Sequence, residues 1–210
     1  IGYSALSSED AHGSNVAIGR QALENQNAGA EAYNVAIGSL AGNDITTGAY
    51  NTIVGGLAGD ALTDADYNIA LGYGALGADT KGSRAIAIGA DTLATQNFTT
   101  ATNNHNIAIG HVAGNDITTG IYNVLIGGLA GDALTDADYN VAIGKDALSA
   151  DTLGSRSTAL GYSTLSSQNF TTANSSNNTA VGYVAGTQIT TGLHNTLVGA
   201  NAGDALTDAD

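Results

Sequence analysis

Asn106-Ile107-Ala108-Ile109-Gly110 is followed seventeen residues later by Asn123-Val124-Leu125-Ile126-Gly127, and after the same interval by Asn140-Val141-Ala142-Ile143-Gly144. The glycine of this phrase falls at Gly19, Gly38, Gly55, Gly72, Gly89, Gly110, Gly127, Gly144, Gly161, Gly182 and Gly199, at intervals of 19, 17, 17, 17, 21, 17, 17, 17, 21 and 17. Gly2 adds one more step of 17 at the front. Three steps of 17 and one of 21 make a super-repeat of 72 residues, so Gly38, Gly110 and Gly182 are equivalent, as are the GDALTDAD phrases starting at Gly59, Gly131 and Gly203. Self-similarity at a fixed short period is the mark of stacked repeat architecture. The two nested periods predict one coil per short step and a four-coil pattern above it.

The residues before each glycine are short, apolar and often β-branched, as in Val16-Ala17-Ile18 and Ile69-Ala70-Leu71, and read as a strand. Ala recurs three residues after the glycine at Ala22, Ala41, Ala58, Ala75, Ala113, Ala130, Ala147, Ala185 and Ala202, with Thr92 and Thr164 in the other two coils, and predicts a second short inward-facing strand. A helix is excluded because a glycine at every step is costly in a helix interior and the spacing follows no 3.6-residue period. Asn stands four residues before the glycine at Asn15, Asn34, Asn51, Asn68, Asn106, Asn123, Asn140, Asn178 and Asn195. Asn tolerates a left-handed corner, and stacked copies can form an amide ladder. The glycine reads as a corner where absence of Cβ permits positive φ or close backbone approach.

Composition supports a narrow coil. Among 210 residues there are 29 Gly, two Phe and nine Tyr, and no Pro, Cys, Met or Trp, so the core must be thin and built of small side chains. The net charge of −14 repels phosphate backbones, which argues against a nucleic-acid partner. No apolar run approaches the length needed to cross a bilayer, so membrane insertion of this segment is not expected. The absence of cysteine fits any compartment.

The expected fold is therefore all-β: a parallel β-solenoid of the left-handed β-roll type, with about twelve coils of 17 to 21 residues. It forms one repeat array over residues 1–210 with no internal domain boundary. At about 4.8 Å per coil the array would extend roughly 50 to 60 Å. Alternate strand residues point to opposite faces. Val16 and Ile18 share one face, while the other carries Ala, or Ile53, Leu125 and Leu197 every 72 residues. Both faces look buried, which predicts packing against other copies about a common axis, and a homotrimer would bring three small-residue faces together. The chain begins without Met and stops at Asp210, where earlier copies of the phrase run on into Tyr-Asn, so it reads as a segment of a longer protein with tip and anchor outside it.

The phrases SNVAIG, YNVAIG and NIAIG resemble the repeats in the YadA-type heads of trimeric autotransporter adhesins, which implies a left-handed parallel β-roll assembled as a trimer. The longer phrases TTGxYNxxIGxxAG and GGLAGDALTDADYN are similar to the repetitive shafts of tail fibres from marine phages, especially those infecting cyanobacteria. That resemblance implies a structural and attachment segment, a shaft or receptor-facing arm, on an extracellular virion fibre that mediates adhesion to a host cell. The alternatives are the head of a bacterial surface adhesin, located on the cell surface, and a polysaccharide depolymerase spike.

Candidate sites are weighed against plain structural roles. Asp60, Asp64 and Asp66, repeated as Asp132, Asp136 and Asp138 and as Asp204, Asp208 and Asp210, could offer carboxylates to calcium on a turn, or form a solvated acidic edge. No other cofactor is expected. Glycoside hydrolysis needs two carboxylates in different environments within one cleft, whereas these recur in near-identical copies, so no enzyme activity is expected. Tyr33, Tyr50, Tyr67, Tyr122 and Tyr139 precede the Asn, and His105 and His194 take the same place in other coils. This row could meet a host glycan or protein, or shield the corner. His12, His105, His111 and His194 show no metal-ligand spacing. Phe98 and Phe170 lie on the expanded coils, where each ring could contact a receptor or fold back as a cap. The Thr pairs 46–47, 118–119 and 190–191 recur only every fourth coil, too sparsely for an ice-binding face.

Overall fold

The computed structural model describes residues 1–10 and 13–210; His12, one of the four histidines weighed above, lies outside them. The fold is an all-β parallel solenoid, and among the described residues there is no helix. Two compact units divide the chain, Ile1–His105 and Asn106–Asp210. In the first, the strands β1 (Val16–Ile18), β2 (Val35–Ile37), β3 (Thr52–Val54), β4 (Ile69–Leu71) and β6 (Ile86–Ile88) stack in parallel, with Ala17 opposite Ala36, Ala36 opposite Ile53, Ile53 opposite Ala70 and Ala70 opposite Ala87. A small parallel pair, β5 (Gly82–Ser83) with β7 (Thr102–Asn103), braces the expanded coil.

The second unit repeats this plan with β8 (Ile107–Ile109), β9 (Val124–Ile126), β10 (Val141–Ile143), β12 (Thr158–Leu160), β14 (Thr179–Val181) and β15 (Thr196–Val198), and with β11 (Gly154–Ser155) pairing β13 (Asn174–Ser175). These make eleven three-residue rungs, one fewer than the expected coils, because only Ile1 precedes Gly2.

Two local expectations are corrected. The alanines three after each glycine are buried, apart from Ala202, which is half-buried, but they lie in turns and not in a second strand. Each sits between two left-handed residues, as Ala22 does between Gln21 (φ 59) and Leu23 (φ 50), so the chain reverses within one turn. Thr92 and Thr164 fill the same place, and each hydroxyl donates to the glycine carbonyl three residues back at 2.8 Å. The left-handed corner before the strand belongs to the residue ahead of the Asn, such as Tyr50 (φ 61) and Tyr67 (φ 59), while the Asn turns inward; Arg84 (φ 67) and Arg156 (φ 64) hold the same corner ahead of Ala85 and Ser157.

Those asparagines tie the coils together. The amide of Asn51 donates to Oδ1 of Asn34 at 2.8 Å, that of Asn68 to Oδ1 of Asn51 at 2.9 Å, and that of Ala85 to Oδ1 of Asn68 at 2.8 Å. Each Nδ2 crosses the coil to a carbonyl fourteen residues on: Asn34 to Gly48 (2.7 Å), Asn51 to Ala65 (2.8 Å) and Asn68 to Gly82 (2.9 Å). In the second unit Asn106, Asn123 and Asn140 make the corresponding bonds, and Asn178 joins Asn195. One side chain thus satisfies the backbone of its own coil and of the next, which a buried polar group requires.

The interior explains the four-coil pattern by volume. Where the strand supplies Ile53, glycines occupy the turn beside it, and a Cβ at Gly42 or Gly59 would lie 3.1 or 3.2 Å from Ile53 Cδ1. Where it supplies Ala70 or Ala87, the turn supplies buried Leu76 or Leu93 instead. Interiors are close-packed, so one large side chain per level must be matched by a small one. The expected packing of small-residue faces against other copies is also corrected: that face fills the chain's own interior and is not available to a threefold axis. The opposite face carries Val16, Ile18, Ile37, Leu160 and Val198 at 37 to 71% exposure.

Close stacking sets a sharp test at the strand-end glycine. Gly127 has φ 137, and a Cβ there would lie 2.5 Å from the carbonyl oxygen of Gly144 and 2.6 Å from its carbon, whereas a Cβ at the adjacent Gly128 meets nothing nearer than 3.9 Å. Gly127→Ala is expected to cost about 3 kcal/mol or more, and Gly128→Ala within about 0.5 kcal/mol of neutral. Paired denaturant melts measure the difference, and equal midpoints would refute the packing described.

Candidate functional site

Two kinds of surface feature emerge from the stacking: aromatic rows at the corners and a cleft beside the second expanded coil. Because Tyr33, Tyr50 and Tyr67 occupy equivalent corners of successive coils, their rings stack at centroid distances of 5.6 and 4.8 Å with interplanar angles of 14° and 5°. The row ends on Arg84, whose Cζ lies 5.0 Å from the Tyr67 centroid. In the second unit Tyr122 stacks on Tyr139 at 5.1 Å, with Arg156 over Tyr139 at 5.9 Å. Sugar stacking on the faces between rings is therefore blocked, since those faces already meet each other or a guanidinium. The edges and hydroxyls remain outward, with the rings 43 to 51% exposed. A second row missed in the sequence reading, Tyr162 on Tyr183 at 5.4 Å with Lys145 over Tyr162 at 5.8 Å, follows the residue just after the strand-end glycine.

Phe98 and Phe170 are 6% and 5% exposed, so the receptor-contact reading of these rings is corrected. Each folds inward over the glycine of the small sheet: a Cβ on Gly82 would come within 2.8 Å of the Phe98 ring, and one on Gly154 within 2.7 Å of Phe170. Holding each loop in place is a buried carboxylate that sequence reading passed over. Asp79 Oδ1 accepts from the amides of Gly82 (3.0 Å) and Phe98 (2.9 Å), and its Oδ2 accepts from Gln96 Nε2 (2.6 Å). Asp151 repeats the pattern with Gly154, Phe170 and Gln168. The signal was present at the 72-residue spacing of Asp79 and Asp151, each three before a glycine and seventeen before a glutamine.

The acidic phrases divide by role. Asp66, Asp138 and Asp210 each use Oδ1 to accept the amide of Ala49, Ile121 and Leu193, respectively, at 2.8 Å. Asp136 takes the hydroxyl of Thr119, and Asp64 that of Thr63. Among the described residues no three His, Asp or Glu side chains come together in an arrangement that could hold a metal ion. The spacing of the acidic phrase along an extended turn points its carboxylates at different partners.

The cleft lies in the second unit. Asp138, Tyr139, Ser155, Arg156 and residues 173–175 enclose about 250 Å³. The amide of Arg156 donates to the Asp138 carbonyl (3.0 Å), that of Asp138 to Ser155 Oγ (3.0 Å), and Arg156 Nη1 to Ser175 Oγ (2.7 Å). Asp66, Tyr67, Ser83 and Arg84 are held in the same way in the first unit, where Arg84 Nε donates to Asn103 Oδ1 at 3.0 Å. Two of the chain's five basic residues thus stand at equivalent places beside an expanded coil.

No protein-family profile, curated protein or solved structure matches the chain.

Burial raises the pKa of Asp79, and the donors from Phe98, Gln96, Gly82 and Lys81 offset it in part. Burial likewise raises Asp60, with Asp44 adding repulsion, and Asp132, with Asp116 and Asp146 adding repulsion. Asp132 Oδ1 is also shielded without a hydrogen-bond partner. Acids raised in the folded state bind protons more tightly there than in the unfolded chain, so stability falls as pH rises through the window from the ordinary 3.8 up to the raised values. The melting temperature is expected to rise on acidification from about pH 7 toward about 4.5, with a smaller rise in Asp79→Asn. A scan of both proteins showing a steady fall on acidification would refute this.

Proposed function

We propose that the chain is a structural and attachment segment, a shaft or receptor-facing arm, of an extracellular viral tail fibre, assembled with further copies of itself as a homotrimer. Its role on this reading is mechanical and adhesive, with no catalysis. The observation that carries it is the outer face of the main sheets. Every rung presents two side chains outward, mostly Val, Ile, Leu or Thr, and none of them is buried within the chain. Apolar surface arrayed at each rung is a sheet face that needs a partner. A second copy matches it best, because only the same repeat reproduces the rung spacing along the whole face, and closed symmetry buries every such face.

The interior supports a load-bearing role. Each coil is bonded to its neighbour through strands and amides, so stability accrues per coil and not from one central core. The acidic surface, net −14, suits a long repetitive protein that must stay dispersed.

Light scattering on the 210-residue chain is expected to give three times the monomer mass of 20.8 kDa. Val141→Lys combined with Ile143→Lys places two charges on the outer face, and is expected to reduce that mass to a monomer while leaving the β-sheet circular dichroism in place. A wild-type monomer would overturn the assembly.

A further inference from the structure

We propose that the cleft of Asp138, Tyr139, Ser155, Arg156 and Ser175 is a saccharide subsite that takes one uncharged pyranose unit. The inference deepens the attachment reading and rests on it for its biological role.

The chemistry of the lining selects the ligand. Arg156 offers only donors, five N–H in a planar fork, of which one is spent on Ser175 Oγ. Asp138 offers only acceptors, and the Ile121 amide engages one oxygen. Ser155 and Ser175 can do both. A pyranose presents adjacent hydroxyls that each donate and accept, so neighbouring hydroxyls can give to Asp138 and take from Arg156 at once. A carboxylated or sulfated sugar would satisfy Arg156 but meet Asp138 and a chain of net charge −14, which disfavours it. An apolar ligand would leave both charged groups without compensation. The volume of about 250 Å³ admits a single sugar ring with its substituents.

The cleft is built, not incidental. Arg156 is held at φ 64 with its guanidinium over Tyr139, and Asp138 is fixed through both its amide and its Oδ1. Its floor is the β11–β13 pair, which exists only because the coil is expanded by four residues. None of the lining residues belongs to the main sheet, so the outer apolar face and the cleft are separate surfaces. In the first unit Asn103 stands in the place of Ser175, and its amide takes Arg84.

Saturation-transfer NMR titrations of the 210-residue chain with methyl α-glucopyranoside, methyl α-galactopyranoside, methyl α-mannopyranoside and methyl β-glucuronide test the proposal, with light scattering on the same samples. The expected result is saturable binding of at least one neutral glycoside, weakened at least about tenfold by Arg156→Gln and by Asp138→Asn, with mass and circular dichroism unchanged. The site is overturned if no neutral glycoside saturates, if only the glucuronide binds, or if both variants bind as the parent does. A chain that assembles but binds no neutral glycoside removes the subsite and leaves the shaft; one that binds sugar as a monomer keeps the subsite and removes the assembly.

Discussion

The buried asparagine amide is the interaction on which the rest of the solenoid depends. In a coil this narrow there is no room for water and little for side chains, yet each corner brings backbone groups inside that no strand can pair. Asn51 resolves this by accepting from the amide of Asn68 and donating to the carbonyl of Ala65. Because its reach spans both its own coil and the next, the same side chain sets the coil's width and the stacking register. A buried donor or acceptor left unmet costs about 1 to 3 kcal/mol, which makes substitution expensive at the rungs that carry it; Ala85 and Ser157 stand in its place in the two expanded coils.

That recurring corner leaves most variation to the remaining interior. The levels that hold Ile53 or Leu125 face glycine in the turn, and those that hold Ala70, Ala87, Ala142 or Ala159 face leucine. Seven residues past each glycine the buried column runs Ile45, Leu62, Asp79, Gln96, and then Ile117, Leu134, Asp151, Gln168. The 72-residue super-repeat is therefore a packing cycle, with two aliphatic coils followed by two whose interiors carry a bonded carboxylate and amide. The polar pair is where four extra residues enter, because Asp79 and Asp151 supply the acceptors that hold the longer loop and its phenylalanine inward.

Outward, the same regularity turns single side chains into surfaces. Equivalent corners bring Tyr33, Tyr50 and Tyr67 into one stack, and equivalent strand positions bring β-branched residues into one apolar face. Neither surface needs a fold change to vary its chemistry, since corner and strand residues can be exchanged without touching the asparagines. The cleft at Arg156 departs from the periodic pattern, and it arises where the coil length departs from seventeen.

Period, strand position, the class of fold and the stacking of the asparagines in one row were legible in the sequence because each is written as a residue type recurring at a fixed interval. Gly127 and Asn123 needed no coordinates to be recognised as a stacked corner. What the sequence left open was direction. Alternation in Val124-Leu125-Ile126 distinguishes two faces but does not say which one closes on the coil, and the answer depends on how the turn at Leu129-Ala130-Gly131 folds back. That turn uses left-handed leucines, which propensity argues against and which only the packing of the completed coil stabilises. The inward Phe98, the buried Asp79 and the pairing of Arg156 with Tyr139 likewise join residues from different coils, so tertiary stacking alone could bring them together.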